Sequence, residues 1–186
     1  MSRISSGRTL LAVICAAWLS ACFVSEAPLI PEGEAVLLGD SNITLCIDAP
    51  DDCFEMEISR DGYKTLPVGH QDTPAQIRFS PLLQINEQQI FVVEALDLED
   101  QTYTFVVARQ RTPDTQSAGN VQLALVSCGD LNEVQRTTFI AAGGHIRDGW
   151  GVECTPPDLD TLNTALISVY HDQLADEAWW AAGGTS

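Results

Sequence analysis

Between Ala35 and Val126 the chain offers a succession of short β-forming segments, set too close together for helices to pass between them. "AVLLG" (35–39) and "ITLCI" (43–47) come first. "FEMEISR" (54–60), "YKTLPV" (63–68), "AQIRFS" (75–80), "QIFVVEAL" (89–96), "TYTFVVAR" (102–109) and "NVQLALV" (120–126) follow. A parallel pair of successive strands needs a crossover of about a dozen residues or more, so these segments must pair antiparallel. The spacing predicts a meander of about six to eight strands, with closure into a small barrel as the way to remove its exposed edges.

The local patterns support strands. "FEMEISR" alternates, with Phe54, Met56 and Ile58 on one face and Glu55, Glu57 and Ser59 on the other. "AQIRFS" places Ile77 and Phe79 inward, and "NVQLALV" does the same with Val121, Leu123 and Leu125. Asp61-Gly62 is the strongest hairpin signal in the chain, and Pro67 marks an edge or a strand end. An immunoglobulin-like sandwich is the alternative, but its buried Trp between two widely spaced Cys is missing: the tryptophans stand at 18, 150, 179 and 180.

The character changes after Cys128. Asp130, with Glu133 three residues on, predicts a short helix that ends at Gly143-Gly144. "HIRDGWGVEC" (145–154) reads as a loop. Pro157-Asp158 then opens a long C-terminal helix, with Leu159, Leu162, Leu166, Val169, Tyr170, Leu174 and Ala178 at helical spacing and Gly183-Gly184 as its stop. The fold class expected is α+β, with a β-rich part over 35–127 and a helical segment over 128–186 in one domain.

The N-terminus carries an address. Arg3 and Arg8 precede an apolar run from Leu10 to Leu19, and small residues lead into Cys22. A positive head, a short apolar middle and a small-residue exit are the parts of a secretory signal peptide. Ten helical residues rise only about 15 Å, half of a hydrocarbon core of about 30 Å, so a spanning helix is the poorer reading. The arginines are not adjacent, which disfavours a twin-arginine signal. Leu19-Ser20-Ala21-Cys22 resembles the lipobox of bacterial lipoproteins, and the chain as a whole is similar in size to small Gram-negative envelope lipoproteins. The resemblance implies cleavage after residue 21, a diacylglyceryl group on the Cys22 thiol and acylation of its amino group. Phe23 stands where that family places an inner-membrane retention Asp, which implies an outer-membrane destination facing the periplasm. Residues 22–34, with prolines, glutamates and a glycine, read as a lipidated tether, and residues 35–186 as the domain.

Charge narrows the partners. The chain has nine basic and 26 acidic residues, a net of −17, and loss of residues 1–21 would make it two charges more negative. Such a chain is repelled by nucleic acid. The partners expected are the bilayer, through acylated Cys22, and an envelope protein.

Cys15 would leave with the signal and Cys22 would be acylated, so Cys46, Cys53, Cys128 and Cys154 remain, an even count suited to an oxidising compartment. Three pairings are open. Proximity favours Cys46–Cys53 and Cys128–Cys154, the latter closing a loop worth about 3 kcal/mol. The four lack metal-ligand spacing, so zinc is disfavoured.

Candidate sites are sparse. No G-x-S-x-G elbow occurs. Of His70, His145 and His171, His145 is the best catalytic candidate, in the glycine-rich "AAGGHIRDGW" with Arg147, Asp148 and Trp150; a self-satisfied surface turn is the simpler reading. His171-Asp172 are helical neighbours that point in different directions. Asp48, Asp51 and Asp52, and Asp97, Glu99 and Asp100, are acidic turns that do not match a calcium loop. Trp150, Trp179 and Trp180 are candidate partner or ligand contacts, with core packing the simpler role for the last two. No cofactor is implied. The function expected is a non-catalytic structural or interaction module, with a ligand-binding barrel, its pocket enclosed by Phe79, Phe91, Phe105 and Val107, as the alternative and a hydrolase as a distant third.

Overall fold

The computed structural model describes residues 22–40, 42–46, 53–65, 75–97, 101–111, 121–149 and 151–184. Seven strands make a closed barrel: β2 (Ile43–Cys46), β3 (Cys53–Ser59), β4 (Gly62–Thr65), β5 (Gln76–Ile85), β6 (Gln88–Asp97), β7 (Thr102–Gln110) and β8 (Val121–Ala124). A two-residue β1 (Val24–Ser25) adds to β7 beside the place where β8 ends. Successive strands pair antiparallel as expected. The closing pair, β2 with β8, is parallel, which corrects the all-antiparallel expectation. An odd number of alternating strands brings its first and last members together in the same direction, so closure itself demands this pair.

The expected hairpin lies at Asp61-Gly62. Ser59 pairs with Gly62, so Arg60-Asp61 is the two-residue turn. Gly62 has φ +112°, and a Cβ there would lie 2.4 Å from the Ile77 carbonyl oxygen. "AVLLG" does not join the sheet; Val36 and Leu38 instead pack against the barrel interior. Pro81 stands beside a bulge in the β5–β6 pairing, one of the places in a sheet where a residue without an N–H is tolerated.

Two cores share one wall. The barrel interior is filled by Leu45, Met56, Tyr63, Phe79, Phe91 and Leu123 with their neighbours. The outer face of β6–β8 is also apolar, through Ile90, Val92, Phe105, Val107 and Ala124. That outer face is covered by α1 (Glu133–Ala141), α2 (Leu159–Tyr170), α3 (Glu177–Ala181) and residues 23–30. The continuous apolar runs of β6 and β7 follow from this, since both of their faces are buried.

The helical part differs from expectation in three ways. The first helix starts two residues late: Asn132 caps it and Gln135 completes the capping box, while Asp130 accepts a hydrogen bond from the Tyr170 hydroxyl. The "HIRDGWGVEC" loop is a hairpin of β9 (His145–Asp148) and β10 (Val152–Thr155). The long C-terminal helix is three short pieces: α2, a 3-10 turn at Gln173–Ala175, and α3. The break falls at His171, and the Asp176 side chain accepts from the Ala178 N–H to start α3. Leu162, Leu166, Tyr170 and Leu174 are still buried, but Ala178 is exposed.

Cys128 and Cys154 form a disulfide that ties the start of the helical part to β10. Cys46 and Cys53 face each other across β2 and β3, within the Cα separation that a disulfide bridges; their side chains lie outside the described residues. Peptide mapping of the mature protein without reductant is expected to yield Cys46 joined to Cys53 and Cys128 joined to Cys154. Recovery of a Cys46–Cys128 peptide would contradict both the register and the two-staple picture.

Candidate functional site

The segment 22–34, expected as a tether, is part of the body. Phe23 is fully buried and meets Phe139 edge-on at 6.2 Å. The Cys154 N–H donates to the Cys22 carbonyl at 3.1 Å, and the Phe105 N–H donates to the Phe23 carbonyl at 3.3 Å. Cys22 itself is half-buried, at the junction of β1 and β10.

Further along, a buried carboxylate holds the same segment. Glu94, on the outer face of β6, accepts from the Leu29 N–H at 2.6 Å and the Ile30 N–H at 3.1 Å. Arg78 reaches Glu94 at 3.3 Å and Asp61 at 2.9 Å, and donates to the Ile30 carbonyl. Burial pushes the Glu94 carboxyl above the ordinary carboxylate range, and the two N–H groups and Arg78 offset this only in part.

A second polar knot sits under the C-terminus. Arg109 is buried and donates to Glu177 at 2.5 and 2.6 Å. The Gln122 amide oxygen accepts from Arg109 and Arg111, and its nitrogen donates to the Trp180 carbonyl at 2.7 Å. The Arg109 guanidinium lies 4.7 Å from the Trp180 ring centroid. Its hydrogen bonds hold the exposed Glu177 carboxyl below its usual value. Trp179 and Trp180 are both buried, and the Trp180 indole donates to the Leu174 carbonyl. Both rings pack into the second core, the simpler of the two roles expected for them. Trp150 lies outside the described residues.

The catalytic candidates are not assembled. His145 is exposed at the start of β9, and among the described residues no hydrogen bond or ion pair reaches its side chain. Its loop-mates make surface pairs: Arg147 with Glu153 at 2.6 Å, and Asp148 with Arg136 at 3.5 Å. His171 and Asp172 do meet, at 3.1 Å, although adjacent helical positions were expected to diverge; the helix ends at His171, and both side chains lie in solvent. His70, Asp48, Asp51, Asp52, Glu99, Asp100 and the Asp97 side chain lie outside the described residues. Among the described residues no cluster of His, Cys, Asp or Glu is arranged to hold a metal ion.

The pocket expected of a ligand-binding barrel is divided by the wall. Phe79 and Phe91 point into the lumen, whereas Phe105 and Val107 point outward into the second core. Tyr63, Phe79 and Phe91 stack edge to face across the lumen, at 5.7 and 6.3 Å between centroids. A barrel of about eight strands has room either for its own side chains or for one small ligand, and in this lumen these aromatic rings occupy the middle. An open groove of about 410 Å³ lies outside the barrel, between α1 and α2, with Val134, Phe139 and Ala165 beside Thr138, Thr161 and Thr164.

The two buried knots were missed in the sequence. Each joins residues far apart in the chain, and only the apolar setting of Glu94 within "FVVEAL" and Arg109 within "FVVAR" hinted that a charge was being buried. No protein-family model matches the chain, and no curated protein and no solved structure matches it either.

Proposed function

We propose that the chain is an exported envelope lipoprotein, acylated at Cys22, whose filled barrel serves as a structural or docking module rather than a container. The observation that carries this reading is where the lipobox ends. The apolar run ends at Leu19, the small residues Ser20 and Ala21 lead into Cys22, and the Cys22 carbonyl is itself held to the folded body by the Cys154 N–H. Cleavage before Cys22 would leave a chain that is folded from its first residue. Among the described residues no helix is long and apolar enough to cross a membrane, so on this reading attachment falls to the lipid. Two or three acyl chains hold a protein at a bilayer where one only lingers.

Cys22→Ser is expected to remove the acyl mass from the N-terminal peptide. The protein should then move to the soluble fraction or accumulate uncut. Unchanged acyl labelling and fractionation would refute the lipoprotein reading. A second reading, small-ligand binding, is favoured by the α1–α2 groove, whose apolar floor and hydroxyl rim suit a small amphipathic molecule. Thr164→Trp, which fills that groove, distinguishes the two, since it would abolish ligand uptake and leave membrane attachment intact.

A further inference from the structure

We propose that the anchored domain rests directly on the bilayer in one orientation, with the β9–β10 hairpin turned to the lipid headgroups. The proposal rests on acylation of Cys22 and adds to it a contact surface and a phospholipid partner.

The argument starts from slack. Had residues 23–34 been a free tether, they could have let the domain stand about 40 Å from its lipid. Here there is none. Phe23 is fully buried, its carbonyl is bonded to the Phe105 N–H, and Val24 and Ser25 pair with Thr104 and Tyr103. The backbone of Cys22 is itself bonded to Cys154. The lipid would therefore leave the protein from the wall of the fold, and whatever adjoins Cys22 must come to the surface with it. What adjoins it is β10, paired with β9 and fixed by the Cys128–Cys154 disulfide.

Charge agrees with that seating. A protein with a net charge of −17 is repelled by anionic headgroups, and the repulsion is smallest where its acids are matched. The hairpin is such a place: Arg147 pairs with Glu153, and Arg136 of α1 pairs with Asp148. Ile146 and Val152 pack against the second core, which leaves the charged pairs on the hairpin's outer face. The far wall is less evenly matched: Glu57 of β3 pairs with Lys64 at 2.6 Å, and Glu55 faces outward beside them as a further acid. β3 stands three strands from β7 one way around the seven-strand ring and four strands the other way.

The test uses the full acylated protein purified from membranes and returned to vesicles of phosphatidylethanolamine and phosphatidylglycerol. Gly149→Cys places an environment-sensitive fluorophore at the hairpin turn, where an added Cβ meets nothing closer than the Gly151 carbonyl at 3.7 Å. Glu55→Cys places the same fluorophore on the opposite wall. The expected result is a blue shift, and quenching by headgroup spin-labelled lipid, at position 149 but not at 55. A flexible insert of about twelve Gly/Ser residues between Cys22 and Phe23 should keep flotation with the vesicles and abolish the difference. Equal signals at 149 and 55 in a protein that floats and carries the acyl mass would overturn the seating and leave the anchor standing. A protein without acyl mass that does not float would overturn the anchor, and the seating with it.

Discussion

Leu166→Asp is expected to leave the domain largely unfolded, read as loss of the cooperative thermal transition and rapid proteolysis. Leu166 is fully buried on α2, in the cluster that covers the outer face of β6–β8. Losing a packed Leu costs about 2–5 kcal/mol. A carboxylate with no partner in that cluster costs several kcal/mol more, or forces α2 off the wall. The total stability of a domain is about 5–15 kcal/mol, so the combined loss takes most of it. The change would also uncover Phe105 and Val107, which face this layer from the barrel. Asp172→Leu is the matched control: its side chain is fully exposed and touches only His171, so the melting temperature should hardly move. A normal melt for Leu166→Asp, with loss of a binding partner instead, would make the α2 stripe a docking face and contradict the second core.

The two substitutions also show what could be read in advance. The α2 stripe was legible because Leu162, Leu166, Val169 and Tyr170 repeat at helical spacing, and that period survives whatever the helix covers. Where the helix ends was not. Leu174 keeps the spacing and stays buried beyond the break, while Asp172 and Asp176 look like members of a polar face. Asp176 is in fact a cap, and a cap shows itself only through the N–H it bonds. The strands were legible for a similar reason. Alternation in β3 and β5 reports a wall with one wet face, and the unbroken apolar runs of β6 and β7 report a wall buried twice. The odd strand count that makes the closing pair parallel depends on "AVLLG", which has strand composition but lies against the interior instead.

The N-terminal segment failed more instructively. Prolines, glutamates and a glycine within "FVSEAPLIPEGE" describe a tether by composition. What binds it is Glu94, some sixty-five residues away, which accepts from the Leu29 and Ile30 backbones. Backbone N–H groups carry no residue identity, so no pattern within residues 22–34 could announce that partner. Likewise β9 and β10 are short and polar on either side of Gly149 and Gly151, and their hairpin is recognisable only through its pairing and its disulfide.

Glu94→Ala is accordingly expected to cost about 3–5 kcal/mol at neutral pH, the usual loss when one member of a buried charge pair is removed. It leaves the Leu29 and Ile30 N–H groups without their acceptor, and Arg78 with Asp61 and the Ile30 carbonyl. Amide exchange should localise the damage, with protection at residues 29 and 30 falling before that of β6 and β7. Glu94→Gln keeps the shape and removes the titration, so its pH dependence isolates the charge. The folded Glu94 carboxyl sits above its ordinary value because burial outweighs the N–H groups and Arg78. Over the range between the ordinary value and the raised one, the folded protein holds a proton that the unfolded chain has released, so stability falls as pH rises. This contribution is therefore fully present below the ordinary carboxylate value and is lost as pH climbs through the folded one. Glu177 works in the opposite direction: held low by Arg109, it favours the fold above its ordinary value and ceases to do so as pH falls through its lowered one. The Glu177 part is common to wild type and Glu94→Gln and cancels between them. Relative to the glutamine variant, the wild type should gain stability steadily as the buffer is taken from neutral into the acid range. A flat difference would mean that Glu94 titrates as an ordinary solvated carboxylate, and that the N-terminal segment is held by Phe23 and Ile30 packing alone.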